Sequence, residues 1–217
     1  MTESLQQSSD PWETSAEAAP APSAFLTAGG EMAALIASKD WAATRLGPQQ
    51  TWPRSLQTVL RIMVTSRYAM WLGWGPDLIF FYNDAYAAMT LGPRHPEALG
   101  QPFAEVWLEI WDDLFPRIDT VMRTGRATWD EGLLLMLERS GYPEETYHTF
   151  SYSPLPDDAG GIGGLFCVVT EDTERIIGQR RMATLRELAV GLAAVRTEPE
   201  VCHVIETALA NNQRDLP

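Results

Sequence analysis

The sequence predicts an α+β fold: a five-stranded antiparallel sheet with helices on one face, preceded by two amphipathic helices and followed by a long one. Three observations predict it. Two short apolar runs flank the turn Gly75-Pro76-Asp77 and read as a hairpin. Three longer runs, residues 127–137, 146–155 and 162–169, are separated by turn-rich breaks and read as a meander. Between hairpin and meander the patterns are helical, so the helices are inserted between the two strand sets.

Each element has a local reason. Residues 1–28 are rich in Ser, Glu, Ala and Pro and cannot offset their ordering entropy, which predicts a disordered leader. In residues 29–66, Met32, Leu35 and Ile36 have helical spacing and stop before Leu46-Gly47-Pro48. Thr51-Trp52-Pro53 then opens a second helix with Leu56, Val59, Leu60 and Met63 on one face. Neither helix can bury its stripe alone, so each is expected to pack on the domain or on a second subunit.

The main domain is expected over residues 67–173. Residues 68–74 and 78–82 form the hairpin strands, and Asn83-Asp84 can cap a short helix over 85–89 that Gly92-Pro93 breaks. Residues 102–107 suit a helical turn. Ile110, Leu114, Ile118, Val121 and Met122 give residues 110–123 a helical stripe, with Gly125 as its C-cap. The third meander strand runs into Thr170-Glu171-Asp172-Thr173-Glu174-Arg175, and a helix starts with no linker between. Over 174–197, Leu185, Leu188, Leu192 and Val195 alternate three and four apart, as in a dimer seam. Pro199 interrupts, 201–210 begins another helix, and 211–217 reads as a connector. With nothing left for that last helix to pack on, 198–217 is expected to lead into a further domain.

Composition excludes several classes. With 45% hydrophobic residues in 217, a core is available. A formal charge of −13 argues against nucleic acid and anionic membrane surfaces, which need clustered Lys and Arg. Two cysteines are too few for a disulfide framework, and Cys167 in an apolar run reads as a buried thiol in a reducing compartment. No apolar run reaches the ~20 residues needed to cross a bilayer, and the N-terminus lacks a signal peptide's charge and apolar stretch. A cytoplasmic protein without membrane insertion is expected.

Several local words in this order resemble the PAS sensory family over residues 67–175. Trp74-Gly75-Pro76-Asp77 and Tyr82-Asn83-Asp84-Ala85-Tyr86 look like its first hairpin and following short helix, and Gly100-Gln101-Pro102-Phe103 looks like its Gly-x-Pro turn. Glu171-Asp172-Thr173-Glu174-Arg175 resembles the closing Asp-Ile-Thr-Glu-Arg signature, whose Asp caps the signal helix and contacts the sheet. Glu171 occupies the Asp place and Asp172 the Ile place, so either carboxylate could make that contact. Residues 29–188 are similar to the N-terminal sensor of proteobacterial hybrid histidine kinases, and 198–217 to the first helix of a GAF domain. The resemblance implies a cupped sheet with a pocket under the helices, ligand or cofactor sensing, a homodimer, and downstream GAF and kinase domains with a response regulator. It leaves the cofactor unknown. Light-sensing relatives carry a reactive Cys on a helix within an Asn-Cys-Arg word, which is missing here, and Cys167 sits in a strand. Haem-binding relatives use a His on the long helix, and residues 105–123 contain none. Neither cysteinyl-flavin nor haem chemistry is expected.

The candidate pocket residues are Phe80, Tyr82, Trp111, Phe115, His148, Phe150, Tyr152 and Phe166. Strands facing a cup contribute alternate residues, and His148 shares a face with Phe150 and Tyr152. The bland reading is that these aromatics, with Trp71, Trp74, Trp107 and Trp129, are simply core. Glu145 and His148 would suit a metal only on a helix, and on a strand they point apart. His95, in a Pro-flanked loop, reads as solvated. The acid pairs after Trp111 and Trp129 read as solvated surface. No Ser-His-Asp order, P-loop, dinucleotide fingerprint or zinc spacing is present, so no catalytic or metal-binding residue is assigned.

Three functions follow. The first is a sensory module of a histidine-kinase-type receptor, passing a ligand or protein-contact signal through a junction of Glu171, Asp172, Thr173 and Arg175. The second is a ligand-free dimerisation scaffold. The third is a small-molecule enzyme using Tyr82, Asp84 and His148, for which an isolated acid would have to lie deep in an apolar pocket.

Overall fold

A computed structural model describes Leu26 and residues 30–215. The expected leader at 1–28 therefore lies, apart from Leu26, outside the described residues. Two helices come first, α1 (Glu31–Ser38) and α2 (Arg54–Thr65), with short 3-10 turns between them. The hairpin β1 (Met70–Trp74) and β2 (Ile79–Tyr82) follows. Then come α3 (Asp84–Tyr86), α4 (Phe103–Val106) and α5 (Trp111–Thr124), and the meander β3 (Thr128–Leu137), β4 (Glu144–Pro156) and β5 (Ile162–Glu171). The chain closes with α6 (Thr173–Leu192) and α7 (Glu198–Ala210).

All five strands form one antiparallel sheet in the order β2-β1-β5-β4-β3. The register aligns Tyr82, Trp71, Cys167 and Tyr152 in one row across four strands. Because side chains alternate, this row faces the helices α3 to α5, while Phe81, Leu72 and Phe166 in the next row face away. The Arg117 guanidinium of α5 grips the Asp130 carboxylate of β3 with two bonds of 2.6 Å. Gly125 ends α5 at φ 66°, a conformation few residues with a side chain adopt.

The N-terminal helices cover the opposite face, at the β1–β2 end of the sheet. Phe81 stacks on Trp41 at 4.9 Å and meets Trp52 edge-on at 5.6 Å. The stripe Leu56, Leu60 and Met63 is fully buried. Asn83 fastens α2 to the sheet. Its side-chain amide donates to the carbonyls of Met63, Ser66 and Tyr68, and its oxygen accepts from Met70 and Tyr86 N–H. On the far side, the Asp158 carboxylate of the β4–β5 turn accepts from the first N–H groups of α2, each at 2.9 Å.

Several expectations need correction. The helix placed at 85–89 starts at Asp84 and widens into a π turn over Ala87–Leu91, which buries Thr90 and Leu91. The last strand does not stop at residue 169. It continues to Glu171, so Glu171 belongs to the sheet. The chain breaks between α6 and α7 as expected, but α7 starts at Glu198 and not at 201, so Pro199 sits in its first turn, behind a capping box of Thr197 and Glu200. That last helix also has something to pack on. It folds back on α6, where Gly191 gives room to Val204, and Asn211 and Asn212 bond Glu187 and Thr184. Residues 211–215 return to Arg180 and are no loose connector. No helix among the described residues is long and apolar enough to cross a membrane.

Candidate functional site: core cavity and strand-to-helix junction

A cavity of about 30 Å³ lies between the inner face of the sheet and helices α3 to α5. It has room for about one water. His148, Phe150 and Tyr152 of β4 line it, on the alternate positions that face the helices. The other expected pocket residues lie elsewhere. Phe80 is buried against Trp71 and Phe103. The Tyr82 hydroxyl meets His95 Nδ1 at 3.0 Å, which makes His95 a half-buried partner and not a solvated loop residue. Trp111 is half-buried against Phe103 and Phe115, and Phe115 is 47% exposed. Phe166 faces away from the cavity. Among the expected core aromatics, Trp129 is an exposed surface residue.

The sequence reading missed other lining residues: Trp71, Cys167 and Val169 from the sheet, and Tyr86, Thr90 and Trp107 from the helices. Alternation from Trp71 through its cross-strand partner Cys167 would have selected Cys167 in place of Phe166. No sequence signal marks Thr90 or Trp107, because the π turn and the Phe103 turn that aim them inward have no periodicity of their own. Burial sets the chemistry. It pushes the Tyr86, Tyr152 and Cys167 groups up and holds them neutral. It pulls His148 down to about 4, with Glu171 opposing and Arg139 assisting, so the imidazole is neutral near pH 7. A flavin or a haem does not fit this volume without the helices moving apart. Among the described residues no carboxylate lines the cavity, and no group of three His, Cys, Asp or Glu converges as a metal site.

The junction residues Glu171, Asp172, Thr173 and Arg175 come together, and both carboxylates bind the sheet. Glu171, cross-strand from His148, takes two 2.9 Å bonds from Arg139. Burial alone would raise the Glu171 carboxyl, but the guanidinium keeps it below its ordinary range. Asp172 accepts from the Thr149 hydroxyl at 2.5 Å and from Arg175, which hold its carboxyl low. Its N–H donates to Tyr147 O at 2.7 Å, while Tyr147 N–H donates to Thr173 Oγ1 at 3.0 Å. The strand therefore enters the helix without a flexible hinge. Ile176 comes within 3.3 Å of where a side chain on Gly132 would stand, at the β3 bulge.

Arg139 is the residue the sequence reading passed over, inside a turn-rich stretch. It also bonds Glu144 at 3.0 Å and the Met89 carbonyl of the π turn at 3.0 Å. One guanidinium thus connects the helix that carries Thr90 into the cavity with the strand end that launches α6.

Beyond the junction, α6 has no buried residue among those described. In the expected seam, Leu185 and Leu192 are 58% and 38% exposed, while Leu188 and Val195 are half-buried. Arg180 anchors the helix to Glu145 of β4 and to Asp215. Glu145 and His148 point to opposite faces of β4, outward to Arg180 and inward to the cavity.

A family model described as the PAS fold matches residues 68–176, half of the chain, and the chain belongs to that family. Among solved structures, it is similar to a sensory box sensor histidine kinase from Vibrio cholerae, with 17% identity over 54% of this chain and 90% of that one, at a TM-score of 0.38. It is also similar to the PAS domain of BvgS from Bordetella pertussis, with 16% identity over 61% and 97% of the two chains, at 0.38. A PAS domain of a Colwellia psychrerythraea protein shares 13% over 55% and 98%, at 0.41. No curated protein matches the sequence.

Proposed function

We propose that this PAS domain is the sensory module of a two-component, histidine-kinase-type receptor that acts as a cytoplasmic homodimer. Changes at the cavity or on the domain surface reach α6, and through it GAF and kinase domains and then a response regulator. The observation that carries this is the Arg139 clamp, which joins the π turn over the cavity to Glu171 at the root of α6. A two-position switch needs only a few kcal/mol between helix arrangements, which such a cluster of bonds can supply. Among the described residues no carboxylate lines the cavity, and Asp84 accepts from Met32 N–H at 2.7 Å, which supports reading the domain itself as a sensor and not as an enzyme.

The test joins α6 in heptad register to a histidine-kinase core and compares autophosphorylation with and without Arg139→Gln. A several-fold change is expected in at least one register. Equal activities in every register would overturn the proposal. One observation favours the scaffold reading: the core is nearly filled, while Met182 and Leu185 stand 65% and 58% exposed on α6. If dimerisation is the whole function, Leu185→Asp abolishes the dimer and Arg139→Gln leaves the chimeras unchanged.

A further inference from the structure

Helices α6 and α7 pair antiparallel and leave one face of the pair open. The residues that meet between them are Gly191 with Val204, Thr184 with Asn212 and Arg180 with Asp215. Ile176 and Arg180 turn to the sheet, toward Gly132 and Glu145. Leu185, Leu188 and Leu192 lie about a quarter turn round α6 from that contact, on the side away from the sheet. Cys202, Ile205 and Leu209 lie about a quarter turn round α7. Because the helices run in opposite directions, the two rotations lead to the same side. Leu185 is 58% exposed there, Leu192 and Ile205 are 38% and Leu209 is 37%. A single exposed leucine needs no explanation, but two aligned apolar stripes on paired helices mark a contact surface.

The stripes end in opposite charges. Steps of four, three and four residues put Arg181, Leu185, Leu188 and Leu192 in line on α6, and Glu198, Cys202, Ile205 and Leu209 in line on α7. Both charged residues are exposed, and neither has an ion-pair partner among the described residues. They cannot pair within one chain. With Gly191 opposite Val204, Arg181 and Glu198 stand at opposite ends of the helix pair, roughly 24 Å apart along its axis.

We propose that the occupant of this face is the same face of a second copy turned end for end, so that two α6–α7 hairpins form a four-helix bundle. The proposal rests on the homodimer reading above and assigns its contact. The two-fold axis crosses the middle of the stripes, near Leu188 and Ile205, and the leucines and Ile205 of both chains close the bundle core. The charges choose the direction. End for end, each end of the bundle holds one Arg181 and one Glu198. With the hairpins in the same direction, one end would hold two arginines and the other two glutamates. The structure also changes the expected seam, because Leu188 and Val195 are half-buried beside α7 and residues of α7 join the contact.

The test is sedimentation equilibrium of the full chain at low salt, from about 1 μM to about 1 mM, a range that covers ordinary dimer affinities. Leu192→Asp and Ile205→Asp are each expected to weaken the dimer at least about hundredfold, since each change enters the contact twice. Both positions are on the surface, and unchanged amide exchange in α2 verifies that the fold is intact. Arg181→Glu and Glu198→Arg are each expected to weaken the dimer about fivefold, and the two together in one chain to restore it. A bundle in the same direction would not respond to these charge changes. A coiled coil of α6 alone would ignore Ile205→Asp. Either result, or a dimer that survives both aspartates, would overturn the proposal and leave the homodimer reading standing. A wild-type chain that stays monomeric throughout sinks both. A dimer that weakens and recovers as expected, beside kinase chimeras indifferent to Arg139→Gln, upholds the contact and sinks the signalling reading alone.

Discussion

The N-terminal helices and the C-terminal helix pair hold the same sheet by different means. Helix α2 presses Leu56, Leu60 and Met63, all without exposed surface, onto strands β1 and β2, and Trp41 and Trp52 close over Phe81. Helix α6 buries none of its described residues and is held by Glu171, Asp172, Arg139 and Arg180. Apolar burial is non-directional and cooperative, so the first attachment has one good position. Ionic and hydroxyl bonds at a wet surface are individually modest and can be exchanged for water. The first attachment suits a fixed support and the second an element that moves.

The largest expected effect breaks the dry side. Leu60→Ala removes a fully buried side chain from α2 and should cost about 3 kcal/mol of unfolding free energy, measured by urea denaturation. A loss under about 1 kcal/mol would mean that the site collapses freely, and the contrast between the attachments would fail.

The next sharpens the wet side from beneath. Free histidine titrates near 6.5 and His148 in the folded protein at about 4. Between these values the unfolded chain binds the proton and the folded one does not. Stability should therefore fall as pH drops from about 6.5 toward 4, by up to about 3 kcal/mol, and stay flat above 6.5. The imidazole faces Glu171 of β5, Arg139 of the β3–β4 turn and Asp172, and these carboxylates add losses in the same direction at the acid end. The difference between wild type and His148→Gln isolates the histidine. Parallel pH curves for the two would refute its assignment as a buried neutral group.

What the sequence made legible follows the same division. Period-two and helical stripes exposed the strands, α2 and α5, because apolar periodicity directly encodes burial. They also brought His148, Phe150 and Tyr152 to one face. They could not show which row of β5 faces inward, since Phe166 and Cys167 are both apolar and only the cross-strand register separates them. Arg139 was invisible for a different reason. Its role depends on Met89, Glu144 and Glu171, which are brought together by a turn and by an unanticipated π turn. The return of α7 onto α6 was missed because its contacts are small or polar, Gly191 with Val204 and Asn212 with Thr184, and carry no hydrophobic stripe.

Arg139→Gln comes third. It removes charge-assisted bonds to two carboxylates that are about 15–17% exposed and should cost about 2 kcal/mol. Its distinctive mark is local. Amide exchange over residues 171–177 should speed up more than in α2 or β1. Uniform acceleration across the chain would make Arg139 an ordinary structural residue.

The smallest effect is the most discriminating. Arg180 joins Glu145 of β4 to Asp215 beyond α7, and Arg214 donates to the Tyr147 hydroxyl at 2.5 Å beside it. These side chains are only partly screened from water, so Arg180→Gln should lower global stability by no more than about 1 kcal/mol. Yet every bond that brings residues 211–215 back to the sheet passes through this cluster or through Thr184 and Glu187 on α6. Exchange protection in α7 should fall while that of α2 stays constant, and about 1 M salt, with a screening length near 3 Å, should reproduce much of the change in the wild type. Leu60→Ala should show no such salt dependence. If Arg180→Gln instead unfolds the whole chain as Leu60→Ala does, the C-terminal helices are part of the fixed support, and α6 is not free to move as a signal requires.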